Sequence, residues 1–171
     1  MIRNWKTNFD VKLQAMFDEI VELARSLDLL HYDVEGPFII SSDVRSWGIC
    51  EYTKEGKANI GINPRTFSND FVVRTVLVHE IAHACLPYDG HSAKWKLVGD
   101  KIGSRYGITV SRTNDYSEFG VKSWEDVNPP KYIIRCPGCG FTWGYHRMSQ
   151  CVRNPNGFRC GKCHTKLVRD L

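Results

Sequence analysis

Apolar residues recur every three or four positions in three stretches of the sequence, and each stretch predicts an α-helix. The first covers residues 9–28, where Thr7 with Asp10 resembles a capping box. The second covers residues 69–85 and is apolar nearly all round, which is typical of a central buried helix. The third covers residues 93–106 and keeps its apolar positions on one face.

Short segments rich in β-forming residues lie between the first two helices. They cover residues 37–41, 46–53 and 58–63, and polar or glycine-containing turns such as 54–56 separate them. This pattern predicts a small antiparallel sheet. Residues 107–130 show no strong periodicity. Helices on a small separate sheet place this part of the chain in the α+β class.

Charge divides the sequence into two parts. The 171 residues carry a net charge of +4, with 23 Lys and Arg and 19 Asp and Glu. Residues 131–171 hold eight basic side chains and one acidic one, so this tail is +7 and the rest is −3. Pro129-Pro130 lies between the two parts and is typical of a linker. We therefore predict two domains, 1–128 and 131–171, with different partners.

The composition is that of an ordinary globular protein, with 42% apolar and 25% charged residues. No run of eighteen apolar residues occurs, and the first residues lack the apolar segment of a signal peptide. We expect a cytoplasmic protein with no membrane partner, or a protein of the host cytoplasm or nucleus if the gene is viral. The sequence leaves the oligomeric state open.

Residues 79–83 spell His-Glu-Ile-Ala-His and carry the most specific chemical information. Residues four apart on a helix share a face, so His79 and His83 can bind one metal ion. Catalytic zinc usually has three protein ligands and leaves one position for water. Glu80 points partly round the helix and is better placed to take a proton from that water than to bind the metal. An accidental HExxH on an ordinary helix is the alternative interpretation.

A third ligand is needed to complete such a site. After Pro87, residues 88–90 can reverse the chain and return His91 to the metal, which gives the pattern H-E-x-x-H-x7-H. His91 is our predicted third ligand, with Asp89 and His31 as rivals.

These motifs resemble those of the SprT-like (Spartan-type) metalloproteases, whose pattern is HExxHA followed by HG-x-x-[aromatic]-K. Ser92 stands where glycine is usual in that family, but serine can cap the helix that follows. The resemblance covers about residues 9–110 and implies a minimal zincin-like domain with three histidines at one cleft. The matching segments are HEIAHA at 79–84, HSAKWK at 91–96, and an upstream strand pair at 47–50 and 58–63.

Two Cys-x-x-Cys pairs in the tail are separated by twenty residues, a spacing that suits a four-thiolate structural zinc site. Segments 141–146 and 157–159 suit two short strands. Cys151, His146 and His164 lie near enough in sequence to replace a ligand, and a set of free buried thiols is the alternative interpretation. The tail looks like a β zinc ribbon, which the SprT-like family often carries at its C-terminus. The predicted ligands are Cys136, Cys139, Cys160 and Cys163.

Aromatic side chains alternate with the basic residues of the tail. Basic groups can pair with phosphates and aromatic rings can stack on unpaired bases, so we expect DNA binding, with single strands bound at least as well as duplex. A solvated basic face over aromatics that form the ribbon's own core is the alternative. The aromatic residues are Phe141, Trp143, Tyr145 and Phe158.

The predicted chemistry is peptide hydrolysis by a protein with two zinc ions, one catalytic and one structural. Glu80 acts as general base on a water whose pKa the metal lowers to about 7. Tyr88 and Tyr106 are candidates for the group that stabilises the oxyanion. The resemblance implies a substrate held on DNA, such as a DNA–protein crosslink, and a DNA-repair role. Alternatives are a non-enzymatic nucleic-acid-binding zinc protein, and a metallopeptidase that acts on a regulator or a wall peptide.

Overall fold

The computed structural model describes residues 5–170 and divides into two compact units. The first unit ends at Ser123 and the second begins at Trp124. The sequence predicts the division at Pro129-Pro130, whereas the structure groups the preceding short helix with the second unit. The predicted α+β class is confirmed, because each unit combines helices with its own three-stranded sheet.

Each of the three main helices of the first unit begins at a side chain that caps its free N–H groups. Asp10 caps the first helix, because its carboxylate accepts hydrogen bonds from two N–H groups of the first turn. The predicted capping box of Thr7 with Asp10 is therefore wrong. Asn69 and Ser92 cap the second and third helices. These helices are α1 (Val11–Ser26), α2 (Asp70–Cys85) and α3 (Ala93–Gly103).

The sheet of the first unit is mixed, which corrects the predicted antiparallel arrangement. Strands β1 (Asp33–Ile39), β2 (Gly48–Tyr52) and β3 (Lys57–Ile62) lie in the order β1-β3-β2. A short turn joins β2 to β3 as an antiparallel hairpin, whereas β1 pairs with β3 in parallel. The connection over residues 40–47 is longer than a hairpin turn, so the chain can pass to the opposite edge before β2 begins.

Helix α2 lies at the centre of the first unit. It packs against α1, α3 and the sheet, and Leu77, Val78 and Ile81 are completely buried in the same core. A helix that is apolar on all sides can only be stable when neighbours cover every face. His79, Glu80 and His83 therefore lie on a helix that is packed into the core of this unit. Helices α1 and α2 have 16 residues each, and within residues 5–170 no helix has the length and apolarity that membrane crossing requires.

The second unit is built on an antiparallel sheet with the order β5-β4-β6. The predicted strand over 141–146 is present as β5, but the strand predicted over 157–159 is not. Pro155 opens a 3₁₀ turn there, and Arg159 makes a single bridge to Lys166. Val168 and Arg169 pair with β4 instead. Its elements are α4 (Trp124–Val127), β4 (Tyr132–Arg135), β5 (Thr142–Tyr145), α5 (Gln150–Arg153) and β6 (Val168–Arg169).

Candidate metal centres

The three predicted histidines meet at the C-terminal end of α2. His79 and His83 lie one turn apart on that helix, and Pro87 follows where it ends. The chain then reverses through Tyr88, with a left-handed φ of 65°, and a left-handed glycine two residues later. This turn returns His91, whose Nε2 lies 3.1 Å from Nε2 of His79 and 3.2 Å from Nε2 of His83.

This spacing fits a metal ion held between the rings. Zinc at about 2.0–2.1 Å from each ligand nitrogen in a tetrahedral site separates two such nitrogens by about 3.3 Å. Burial, together with the charges of His83 and His91, lowers the pKa of His79 to about 4. Burial and the charge of His91 also lower the pKa of His83 to about 4. Both imidazoles are therefore in the neutral, metal-binding form at pH 7.

Trp95 forms the floor beneath the histidine cluster. Its side chain is only 1% exposed, and its ring centroid lies 4.8, 5.1 and 4.7 Å from those of His79, His83 and His91. Tyr52 adds a second restraint, because its hydroxyl donates a hydrogen bond to the carbonyl of His83 at 2.7 Å. The imidazoles are thus oriented by packing and do not depend on a bound ion alone for their arrangement.

The rival third ligands lie outside this cluster. The carboxylate of Asp89 accepts a hydrogen bond from the Ser92 hydroxyl at the start of α3. His31 lies on the surface, with Nδ1 3.9 Å from the carboxylate of Asp28. Among the described residues, the ligand group at this place consists of His79, His83 and His91.

Glu80 is buried beside the histidines, between α2 and the edge strand β2. Burial raises the pKa of Glu80 to about 8, and a hydrogen bond with the backbone of Cys50 opposes that rise. Gly48 makes room for the carboxylate, because a Cβ at this position would lie 2.7 Å from Cγ of Glu80 and 2.7 Å from Cγ1 of Val76. A side chain on residue 48 would therefore displace Glu80.

Two cavities share Glu80 and His83 in their walls. One, of about 320 Å³, is lined by Tyr52 and Tyr88, so Tyr88 is at the site as the sequence suggested. Tyr106 instead lies beneath the guanidinium of Arg74, at 4.4 Å. The other cavity, of about 360 Å³, is also lined by residues that the sequence did not indicate: Ser46, Trp47, Gly48, Val76, Arg112, Thr113, Asn114 and Tyr116.

The second unit brings the four predicted cysteines together. Sγ of Cys136 lies 3.3 Å from Sγ of Cys163, and Sγ of Cys139 lies 3.6 Å from Sγ of Cys160. Zinc at about 2.3 Å from each thiolate separates two sulfurs by about 3.8 Å. Hydrogen bonds with Thr165 lower the pKa of the Cys163 thiol and favour its thiolate form. The thiols therefore suit a tetrahedral structural ion.

The rival ligands of the second unit lie outside the thiol cluster. Cys151 packs against the small core beside Tyr145. The ring of His146 lies edge-on to Trp124, at 4.4 Å between centroids. His164 follows the second cysteine pair and has a left-handed φ of 58°. Within residues 5–170, the thiol cluster comprises the four cysteines of the two pairs.

Comparison with known proteins supports the assignment of the first unit. Residues 37–114 match the SprT-like family. This segment begins in β1 and ends in the cavity wall at Asn114, so it includes the histidine cluster and Glu80. Comparison with curated proteins and with solved structures gave no match. The resemblance expected from the sequence is thereby confirmed for residues 37–114, which are similar to the SprT-like family, a family related to metalloproteases.

Proposed function

We propose that this protein is a zinc-dependent endopeptidase, with His79, His83 and His91 as the metal ligands and Glu80 as the general base. One observation carries the proposal. Nε2 of His91 lies 3.1 Å from Nε2 of His79 and 3.2 Å from Nε2 of His83. The buried carboxylate of Glu80 follows His79 on the same helix. A structural ion would have no use for that carboxylate.

A zinc ion held by the three histidines supplies a Lewis acid and lowers the pKa of water at the site. Glu80 takes a proton from the attacking water and delivers it to the leaving amine nitrogen. Its raised pKa, about 8, suits both transfers, because a group with a pKa near the working pH can accept a proton and return it. A zinc ion beside Glu80 would lower the pKa of this carboxyl group, because the positive charge favours the ionised form.

The cleft geometry supports cleavage within a chain. Glu80 and His83 line both cavities, so a polypeptide can be held on either side of the reacting bond. An exopeptidase, in contrast, needs a closed end that recognises a terminus. The open arrangement favours an endopeptidase with modest side-chain selectivity.

The second unit supports a DNA-bound substrate. Residues 131–171 carry eight basic side chains against one acidic one. Phe141 and Phe158 are 41% and 38% exposed, and the Lys162 ammonium lies 4.1 Å from the Phe141 ring centroid. Exposed aromatic rings among cations suit stacking on unpaired bases beside phosphates. We propose that this unit, with its own zinc ion, holds the enzyme near DNA-associated proteins such as DNA–protein crosslinks.

Replacing the base tests the peptidase assignment. Glu80→Gln keeps the size of the side chain but removes its basicity, so cleavage of a fluorogenic peptide should fall by about 10²–10⁴-fold. Native mass spectrometry should show two zinc ions in both the parent and the variant. Glu55→Gln, on the β2–β3 turn, is the control and should cleave like the parent. Cleavage by Glu80→Gln at the parent rate would exclude the mechanism, and two bound zinc ions without cleavage in the parent would favour a binding protein.

Removing the second unit tests the DNA assignment. A protein truncated after Ser123 should keep its fold and the histidine centre but lose most of its DNA affinity. Affinity of the full chain, measured by fluorescence anisotropy, should fall steeply as salt rises because phosphate contacts release counterions. Single strands should bind at least as tightly as duplex. Equal affinity of the truncated and full chains would contradict this role.

A further inference from the structure

The chain between Val110 and Asn114 crosses the histidine centre while anchored at both ends. At one end, the N–H of Val110 donates to the Asp100 carboxylate at 2.9 Å, and its carbonyl accepts from Nζ of Lys96 at 3.0 Å. At the other end, the indole N–H of Trp47 donates to the carbonyl of Asn114 at 3.3 Å. Of the residues between these anchors, Arg112 and Thr113 line the cavity beside the histidines.

The second anchor is itself fixed. The guanidinium of Arg65 lies 4.3 Å from the centroid of the Trp47 ring and donates to the carbonyl of Val44 at 2.9 Å. The buried amide of Asn63 donates to the carbonyls of Val44 and Ser46, both at 3.0 Å. The wall that carries Trp47 is thus tied to the end of β3, and it presents a fixed surface to the cavity.

Arg112 stands in the anchored span and lines the 360 Å³ cavity together with Glu80 and the three histidines. Three other basic side chains of the first unit do have acidic partners: Arg74 with Glu19 at 2.8 Å, Lys57 with Glu35 at 2.6 Å, and Lys96 with Asp100 at 2.9 Å. No carboxylate of residues 5–170 forms an ion pair with Arg112.

The lining of the cavity favours an anionic occupant. Glu80 is the only carboxylate among the residues that line it, and a dication on the histidines would add positive charge. Thr113 and Asn114 offer hydroxyl and amide donors next to Arg112, and Trp47 also lines this cavity. A guanidinium in such surroundings binds a carboxylate through two parallel hydrogen bonds.

We propose that Arg112 is a specificity-determining residue that binds an acidic side chain of the substrate polypeptide within the cleft. This inference rests on the proposed peptidase function and adds the chemical class of residue that the enzyme prefers. In this role Arg112 contacts an acidic side chain of the substrate and does not contact the carbonyl group that reacts.

A series of matched peptides tests the inference. Each peptide carries Glu, Gln or Lys at one position, on one side or the other of the cleaved bond. The value of kcat/KM is measured with the zinc-loaded full chain and with its Arg112→Gln and Arg112→Glu variants. At one position the parent should prefer Glu over Gln by about three- to tenfold. Arg112→Gln should remove that preference and leave the Gln peptide unaffected, and Arg112→Glu should favour Lys. Arg105→Gln, outside the cavity, is the control and should keep the parent's preference.

Binding provides a second measurement that does not require cleavage. The same fluorescent peptides are titrated into Glu80→Gln protein with and without Arg112→Gln. The second substitution should weaken binding of the Glu peptide by the same three- to tenfold and leave the Gln peptide unchanged. An equal loss for all peptides would show that Arg112 acts on the peptide backbone or the oxyanion, and either that result or no loss would overturn the proposal. A parent that binds with this charge preference yet cleaves no peptide would refute the peptidase function alone.

Discussion

The two candidate metal centres differ in how much of their surroundings depends on the ion. The histidine centre stands on a core of 25 buried residues, with three ligands and cavities beside it. The cysteine centre has four candidate ligands, and within the described part of its unit five residues form the buried core, of which Cys136 and Cys160 are themselves candidate ligands. The first unit therefore has a core that can hold its histidines in place, whereas we expect the second unit to depend on its metal ion for stability.

Removal of zinc should give the largest difference between the units. Without its ion the second unit loses the crosslink that substitutes for a core, and structural zinc sites contribute about 10–16 kcal/mol at pH 7. Hydrogen exchange after chelation, or in Cys160→Ser, should show loss of protection in β4 and β5 and retention in α2. Cys151→Ser should leave both units protected. Persistence of protection in β4 after chelation would show that the second unit is stable without its zinc ion.

Trp95→Ala should test whether packing carries the histidine centre. The substitution removes the floor under three imidazoles and leaves a cavity, so the free energy of unfolding of the first unit should fall by about 3–5 kcal/mol. Urea unfolding followed by circular dichroism measures the effect. Leu97→Ala on the same helix is the control, because Leu97 is 71% exposed and its loss should change stability by less than about 0.5 kcal/mol. Similar effects of the two substitutions would contradict the packing role of Trp95.

Gly48→Ala should separate catalysis from metal binding at the histidine centre. The new Cβ would meet Glu80 at 2.7 Å and force the carboxylate aside. A displacement of about 1 Å can cost about 10²-fold in rate, so kcat should fall by that order while zinc content is unchanged. Gly161→Ala, where a Cβ meets nothing within 4 Å, is the matched control. Unchanged kcat in Gly48→Ala would argue against Glu80 as the base.

Tyr52→Phe should have the smallest effect. It removes one hydrogen bond to the carbonyl of His83, so the free energy of unfolding should fall by about 0.5–1.5 kcal/mol. Urea unfolding measures this loss, and Tyr32→Phe serves as the control. A loss of zinc from the histidine centre in Tyr52→Phe would show that this hydrogen bond matters more than the contact with Trp95.

Local spacing explains which features the sequence predicts. The helices that carry His79 and Trp95 follow from apolar periodicity, and the turn that returns His91 follows from Pro87 and Gly90. The cysteine pairs are equally local. These features depend on residues within about one helix length of one another, where spacing alone determines which side chains meet.

Contacts between residues far apart in the sequence explain which features the sequence does not predict. The sequence does not reveal that β1 joins β3 in parallel, because alternation of side chains is the same in either direction. Trp47 and Asn114 meet across 67 residues, and the segment around Arg112 has no periodicity that would mark it as a cavity wall. In the second unit, β4 and β6 are too short for a hydrophobic pattern, and their pairing joins segments from the two ends of the unit.

The position of Trp95 also has an optical consequence. Its indole lies within about 5 Å of three imidazoles, so an open-shell ion such as Co²⁺ or Cu²⁺ on those rings would quench its fluorescence by short-range transfer. The chain has five tryptophans, and Phe at the other four positions would leave a single emitter. Emission from such a protein would follow loading of the histidine centre in real time.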